Sequence, residues 1–177
     1  MKLKEAYTSL AMTGRVKSWL KDPTRRYPVS CCVMVVDDTM DESEDSIEQS
    51  FIFASKALRY GAGVSLHLSN LRAKGTENKH GMVASGPCGF MEIYSKFNEI
   101  LRRGGQYRNG AIVAHCDWDH SDIIEFINYD RARIPWLKRC VNVDPEVINK
   151  PSVMNAIMEG ARKGDLWIVK KQYDSNG

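Results

Sequence analysis

The stretch CCVMVVDDTMDESEDSIEQSFIFASKALRYGAGVSLHLSNLRAKG, residues 31–75, reads as one strand–helix–strand unit. Its apolar run, 32–36, has the length and β-branched content of a strand buried on both faces. The acidic DDTMDESED (37–45) follows as a turn and a helix start, since carboxylates favour the positive end of a helix. Over 44–59, Ile47, Phe51, Ala54 and Leu58 recur at spacings of 4, 3 and 4, which places them on one helical face. Gly61 and Gly63 stop that helix, and 64–68 reads as a second strand. The polar loop after it, roughly 69–85, is long for a connector, and loops of that length are commonly functional or disordered.

The same alternation continues downstream. A helix opens at Gly86 and Pro87, carries the stripe Phe90, Ile93, Phe97, Ile100 and Leu101, and ends in Arg102, Arg103, Gly104 and Gly105. A strand at 111–114, a short helix at 121–128, a basic loop YDRARIPWLK (129–138) and a strand at 140–143 come next. A helical stretch broken near Pro151 and a last strand at 166–170 complete the chain. Upstream, 1–22 reads as an irregular basic segment, and 23–177 as the folded domain, with Pro23 and Pro28 breaking any long element. Strands alternating with helices predict an α/β fold with a parallel sheet and right-handed crossovers. Ligand sites in such sheets sit beyond the strand C-termini, here the loops 37–43, 69–85, 115–120 and residue 144.

Composition narrows the function classes. The 177 residues, 43% hydrophobic and 27% charged, suit one domain or a piece of a larger one. A net charge of +3, with cations scattered among acidic residues, argues against a nucleic-acid partner. The longest apolar run has six residues and MKLKEAYTSL is no secretory signal, so a cytoplasmic protein without a membrane span is expected. The five cysteines, at 31, 32, 88, 116 and 140, form no CxxC pair, and Cys88, Cys116 and Cys140 read as buried free thiols. His115, Cys116, Asp117, Asp119 and His120 have metal-ligand chemistry but crowd one turn without spaced partners, so no metal site is expected.

Five segments, in order, carry a resemblance. They are PTRRYPVSCCVMVVDDTMDESEDSI (23–47), RYGAGVSLHLSNLRAKGT (59–76), ASGPCGFMEIY (84–94), GGQYRNGA (104–111) and DHSDIIEFI (119–127). Together they resemble the ribonucleotide reductase large, catalytic subunit, at the N-terminal part of its barrel, as in a fragment of a split or phage-type enzyme. The resemblance implies the first half of a ten-stranded α/β barrel, whose two five-stranded parallel halves lie antiparallel. The chain would supply the first four strands or so.

What the resemblance implies for individual residues follows. Cys32 would be one of a thiol pair that reduces the ribose 2′-carbon and becomes a disulfide; if the register slips by one, that thiol is Cys31. Ser30, Cys31 and Gly63 would line the substrate, the glycine allowing close backbone approach. Asp38 and Thr39 would meet the sugar of a dNTP or ATP effector. Arg72 and Lys79, on the first specificity loop, would meet its phosphates. Arg131 and Arg133 would belong to the second specificity loop. Ser85, Gly86 and Pro87 open a helix that either holds phosphate or is a plain cap.

The family's thiyl-radical cysteine, second redox cysteine and reducing tail are not in this sequence. The resemblance therefore implies an oxidoreductase, a ribonucleoside di- or triphosphate reductase, active only in an assembly. Its partners would be a downstream large-subunit fragment carrying the finger-loop cysteine and a thioredoxin- or glutaredoxin-type reductant. The radical source would act in trans, from adenosylcobalamin or a radical-generating small subunit. The rival reading is a non-catalytic remnant or dNTP-sensing module.

Overall fold

In the computed structural model, which describes residues 14–24, 27–104 and 111–171, the elements run α1 (Gly14–Lys21), β1 (Cys31–Val35), α2 (Ile47–Arg59), β2 (Gly63–His67), α3 (Gly86–Gly104), β3 (Ile112–Asp117), α4 (Ile123–Asn128), β4 (Leu137–Val143), a 3₁₀ turn (Pro145–Asn149), α5 (Pro151–Arg162) and β5 (Leu166–Lys170). Most of the GGQYRNGA segment, 105–110, and the first 13 residues lie outside the described residues. Each predicted strand and helix downstream of residue 30 is present, within a few residues of its expected bounds. α2 starts at Ile47 because the Ser46 hydroxyl caps it, accepting from Gln49 N at 3.2 Å.

The five strands are parallel and lie in the order β1-β2-β3-β4-β5. Sequential order decides the architecture. Each right-handed crossover steps the same way, so all four connecting helices fall on one face and leave the other open. Burial follows that rule. On the helix-covered face Val64, Leu66, Ile112, Ala114 and Val141 are 2% exposed or less. On the open face Val33, Val35, Trp167 and Val169 are exposed. Among the described residues the sheet is thus an incomplete α/β barrel with both edges unpaired, and its five strands are the five read from the sequence.

Two expectations change. The run 32–36 does not form a strand buried on both faces: β1 is an edge strand, and Val33 is 71% exposed because no layer covers the open side. The segment 1–22 is not wholly irregular, since α1 lies within it. Its apolar residues Val16, Trp19 and Leu20 fall at helical spacing, but the run is only eight residues long and none of them is buried. Arg15 fastens it, donating to Val29 O at 2.7 Å and to Gly61 O.

Between sheet and helices the core is aromatic at the α2–α3 contact. Phe51 meets the rings of Phe90, Tyr94 and Phe97. The Tyr94 hydroxyl shares a buried 2.6 Å hydrogen bond with Ser50, and burial pushes its pKa up to about 12. On β4, Arg139 is buried in the helix-covered face and donates to the Phe126, Ile127 and Tyr129 carbonyls. A cation there satisfies the open carbonyls at the end of α4.

Candidate functional site

Beyond the C-termini of β1 and β2, two loops meet. Asn70 Nδ2 donates to Asp37 Oδ1 at 2.8 Å, and Arg72 Nε donates to Asp38 Oδ2. The loop 69–86 is braced by an antiparallel bridge between Glu77 and Val83 and by Asn78, whose side-chain oxygen accepts from His80 N and Met82 N. Loops and α3 enclose a pocket of about 300 Å³ lined by Asp38, Arg72, Asn78, Met82, Gly86 and Phe90. It has a cation, a carboxylate and an apolar wall. A guanidinium has five N–H donors, and Asp38 takes the one on Nε.

At the opposite, N-terminal edge of the sheet stand the paired cysteines. Cys31 is exposed and lies in register with Gly63 on the open face. A Cβ built on Gly63 would stand 3.5 Å from Cys31 Sγ and 3.6 Å from Ser30 O, an ordinary contact, so glycine here keeps the ground beside the thiol clear. Cys32 is in register with the buried Val64 and packs against the core. Burial and the neighbouring Cys31 push its thiol pKa up, with Arg15 pulling the other way.

Along the open face a polar file crosses the sheet near the strand C-termini. His67 on β2 contacts Asp117 on β3 (Nε2 to Oδ1, 2.9 Å), and Asn142 Nδ2 on β4 donates to the same oxygen at 2.7 Å. Lys171, just past β5, reaches Asp117 Oδ2 at 2.9 Å. Ser69 Oγ accepts from Asp117 N at 2.7 Å, and His115 Nδ1 meets Asn142 Oδ1 at 3.0 Å. Burial alone would raise the Asp117 carboxyl, but the bonds from His67, Asn142 and Lys171 outweigh it and hold the pKa well below the usual carboxylate range. Burial also lowers the His115 pKa, only partly offset by Asn142, so this imidazole is neutral at pH 7.

The family model described as "Ribonucleotide reductase, barrel domain" matches residues 29–172. The chain belongs to the ribonucleotide reductase barrel family. Among its relatives are the vitamin B12-dependent ribonucleotide reductases of Rhodopirellula baltica (29% identical over 55% of this chain) and Streptomyces avermitilis (33% over 55%). The vitamin B12-dependent ribonucleoside-diphosphate reductase of Thermoplasma acidophilum is 27% identical over 71% of this chain. This chain spans only 9%, 10% and 16% of those three proteins, in that order. The Actinobacillus ureae class Id ribonucleotide reductase alpha subunit has the same fold, with a TM-score of 0.70 over 90% of this chain and 30% of its own, at 16% identity.

Within this incomplete barrel the expected site residues separate into groups. Asp38 and Arg72 come together, with exposed Thr39 beside them, its hydroxyl turned to Asp41 at 3.1 Å. Lys79 does not join them; it stands exposed at the turn of the braced loop, outside the pocket lining. Arg131 and Arg133 lie before β4, at the other end of the sheet from Arg72. Arg131 is taken up by the carbonyls of Ile134, Pro135 and Leu137. Arg133 pairs with Glu92 at 2.6 Å and stacks 5.3 Å over the Tyr129 ring. Ser30, Cys31 and Gly63 form the third group, which Cys32 leaves by facing the helices. Cys88, Cys116 and Cys140 are buried free thiols, as their composition suggests. The polar file of His67, Asp117, Asn142 and Lys171 was missed from sequence. Its trace is polar residues at alternating positions of apolar strands, Ser65 and His67, then His115 and Asp117.

Proposed function

We propose that this chain is the opening half-barrel of a ribonucleotide reductase large subunit, with the redox thiol at Cys31 rather than Cys32. One observation carries the choice: Cys31 is exposed on the open face beside Gly63, whereas Cys32 points into the helix layer. In the proposed step Cys31 and a second thiol from the rest of the barrel lose two electrons and two protons to become a disulfide. The ribose 2′-hydroxyl leaves as water with one of those protons, the other proton and the two electrons form a C–H bond in its place, and a thioredoxin- or glutaredoxin-type dithiol restores the pair. The exposed valines of β1 and the unpaired sheet edges suit a covering partner, the downstream part of the large subunit. The relatives named as vitamin B12-dependent favour adenosylcobalamin, acting in trans, over a radical-generating small subunit.

The test has two stages. In the chain itself, iodoacetamide should alkylate Cys31 well before Cys32, because thiolate fraction and exposure govern the rate. With the downstream portion supplied, Cys31→Ser should lower turnover by about a hundredfold or more, a loss typical of a group acting directly in the chemistry. Cys32→Ser should keep most of the activity. Faster labelling of Cys32, or full activity in Cys31→Ser, would return the role to Cys32.

The pocket around Arg72 is proposed as the effector site for a dNTP or ATP, with Asp38 and Thr39 toward the sugar and Arg72 toward a phosphate. Since its lining lies within this chain, it also supports the second reading, a nucleotide-sensing module that binds without a partner. Calorimetry of the chain with dTTP or dATP should detect binding that Arg72→Ala weakens about tenfold, the worth of one charge-assisted contact. Lys79→Ala, Arg131→Ala and Arg133→Ala should change it little. A loss centred on Arg131 or Arg133 would move the site to the other end of the sheet.

A further inference from the structure

The two edges of the sheet differ in chemistry. β5 runs into Lys170 and Lys171, and lysines of that kind keep exposed edges from pairing. β1 has no such guard: CCVMVV, 31–36, holds no charge and no proline. Ser30 O accepts from Gly63 N and Val36 N donates to His67 O, so the even-numbered residues turn their backbone groups to β2. By alternation the N–H and C=O groups of Cys31, Val33 and Val35 turn to the empty side.

On the helix side a groove of about 530 Å³ runs beside this edge, between β1 and α2. Gln49, Ile52, Phe53 and Lys56 line it, at the spacing of one helical face, and Ile52 is exposed there. Glu44 and Asp45 lie at the end near the β1 C-terminus, where Asp37 N donates to Asp45 O at 2.8 Å, and Lys56 lies toward the other end. A groove acidic at one end, basic at the other and apolar between them matches a copy of itself turned end for end. A two-fold axis through Val33 makes that match. Val33 then opposes Val33 and Cys31 opposes Val35, in antiparallel pairs that form about six hydrogen bonds. At about 1.5 Å per helical residue and about 3.3 Å per strand residue, Ile52 stands close to the level of Val33, so the two Ile52 side chains face each other. Lys56 of each copy turns toward the acidic end of α2 in the other. The helices also have room. Each α2 packs on β2 as well as flanking β1, and strands pair about 4.8 Å apart, so the two helices come about 10 Å apart, an ordinary packing distance.

We infer that this chain pairs with a second copy of itself through the free edge of β1, antiparallel about Val33, with α2 packed against α2. The inference does not rest on the reductase reading. Where a downstream part of the large subunit covers β1, it does so by displacing this second copy.

Sedimentation equilibrium of the full chain, with a reductant present to exclude disulfides, tests it. One strand edge and one helix flank make a small interface, so the mass should rise from one copy to two with a dissociation constant in the micromolar range. Val33→Lys supplies the missing edge charge and should weaken association at least tenfold. Its circular dichroism and monomer unfolding should match wild type, since Val33 is 71% exposed. Val169→Lys, at the other edge, should leave association unchanged. In a Cys31→Ser background, Val33→Cys should give a disulfide-linked dimer on oxidation, because opposed residues of such a pair have Cα atoms about 5.5 Å apart, within disulfide reach. Cys31→Ser alone, or with Val169→Cys, should not. A chain that stays a single copy up to about 1 mM, a dimer indifferent to Val33→Lys, or one broken by Val169→Lys instead would each overturn the inference.

Discussion

Asp117→Ala is expected to destabilise the half-barrel by about 3 kcal/mol, because truncating one partner of a buried charged network leaves the others unpaired. The Asp117 side chain is 12% exposed and meets His67, Asn142 and Lys171, groups from three other positions across the sheet. Lys171, 29% exposed in its side chain, can partly turn to water, which keeps the loss toward the low end of the range for a fully buried pair. Asn142 cannot, being buried on the sheet. Urea unfolding followed by circular dichroism measures the loss directly. Asp117→Asn should fall between wild type and alanine, since it keeps one acceptor and loses the charge.

The same network predicts a pH dependence. The folded pKa of Asp117 is depressed, so the carboxyl binds its proton more weakly in the native than in the unfolded chain. Its stabilisation is therefore complete above the unfolded value, about 4, and is lost as the pH falls below that toward the native one. The difference in stability between wild type and Asp117→Ala should shrink on acidification through this window. A difference constant from neutral pH down to strongly acid conditions would contradict the ion-pair account.

Gly86→Ala is expected to cost about 3 kcal/mol, from left-handed strain and a steric clash combined. Gly86 has φ +74°, and a Cβ there would come within 2.6 Å of Asp122 Oδ2 and 3.0 Å of Lys74 N. Those two atoms are themselves joined by a 2.8 Å hydrogen bond that ties the long loop to the start of α4. The methyl group must push apart the clamp that shapes the Arg72 pocket, since Gly86 is part of its wall. Reduced thermal stability should thus come with weaker dNTP binding. Adding Asp122→Ala should restore only part of the loss, because the backbone nitrogen of Lys74 stays where it is. Unchanged stability in Gly86→Ala would mean that the loop yields freely and that the pocket is not held by this contact.

The sequence by itself determined a good deal of this protein. The 4, 3, 4 spacing of Ile47, Phe51, Ala54 and Leu58 and the apolar runs around it specify a strand–helix alternation, because periodicity records which side of an element is apolar. Ordered motifs such as RYGAGVSLHLSNLRAKGT carried the family resemblance, and the loops after the first two strands proved to hold Asp38 and Arg72 side by side. Helix α1 was missed although Val16, Trp19 and Leu20 fall at helical spacing, because the run is only eight residues long and is interspersed with basic residues.

Only the tertiary structure decided what depends on neighbours. Adjacent cysteines at 31 and 32 point to opposite faces of β1, and nothing in the local sequence says which face is open; the one-directional crossovers decide it. His67 and Asp117 are 50 residues apart and Asp117 and Asn142 are 25 apart, so each reads locally as an isolated polar residue in an apolar strand. Parallel register sets them side by side, and Lys171 joins them only because β5 pairs next to β4. Spacing along a chain encodes the apolar side of each element. Which residues meet across a sheet is fixed by strand order and register, and these arise only when the elements pack.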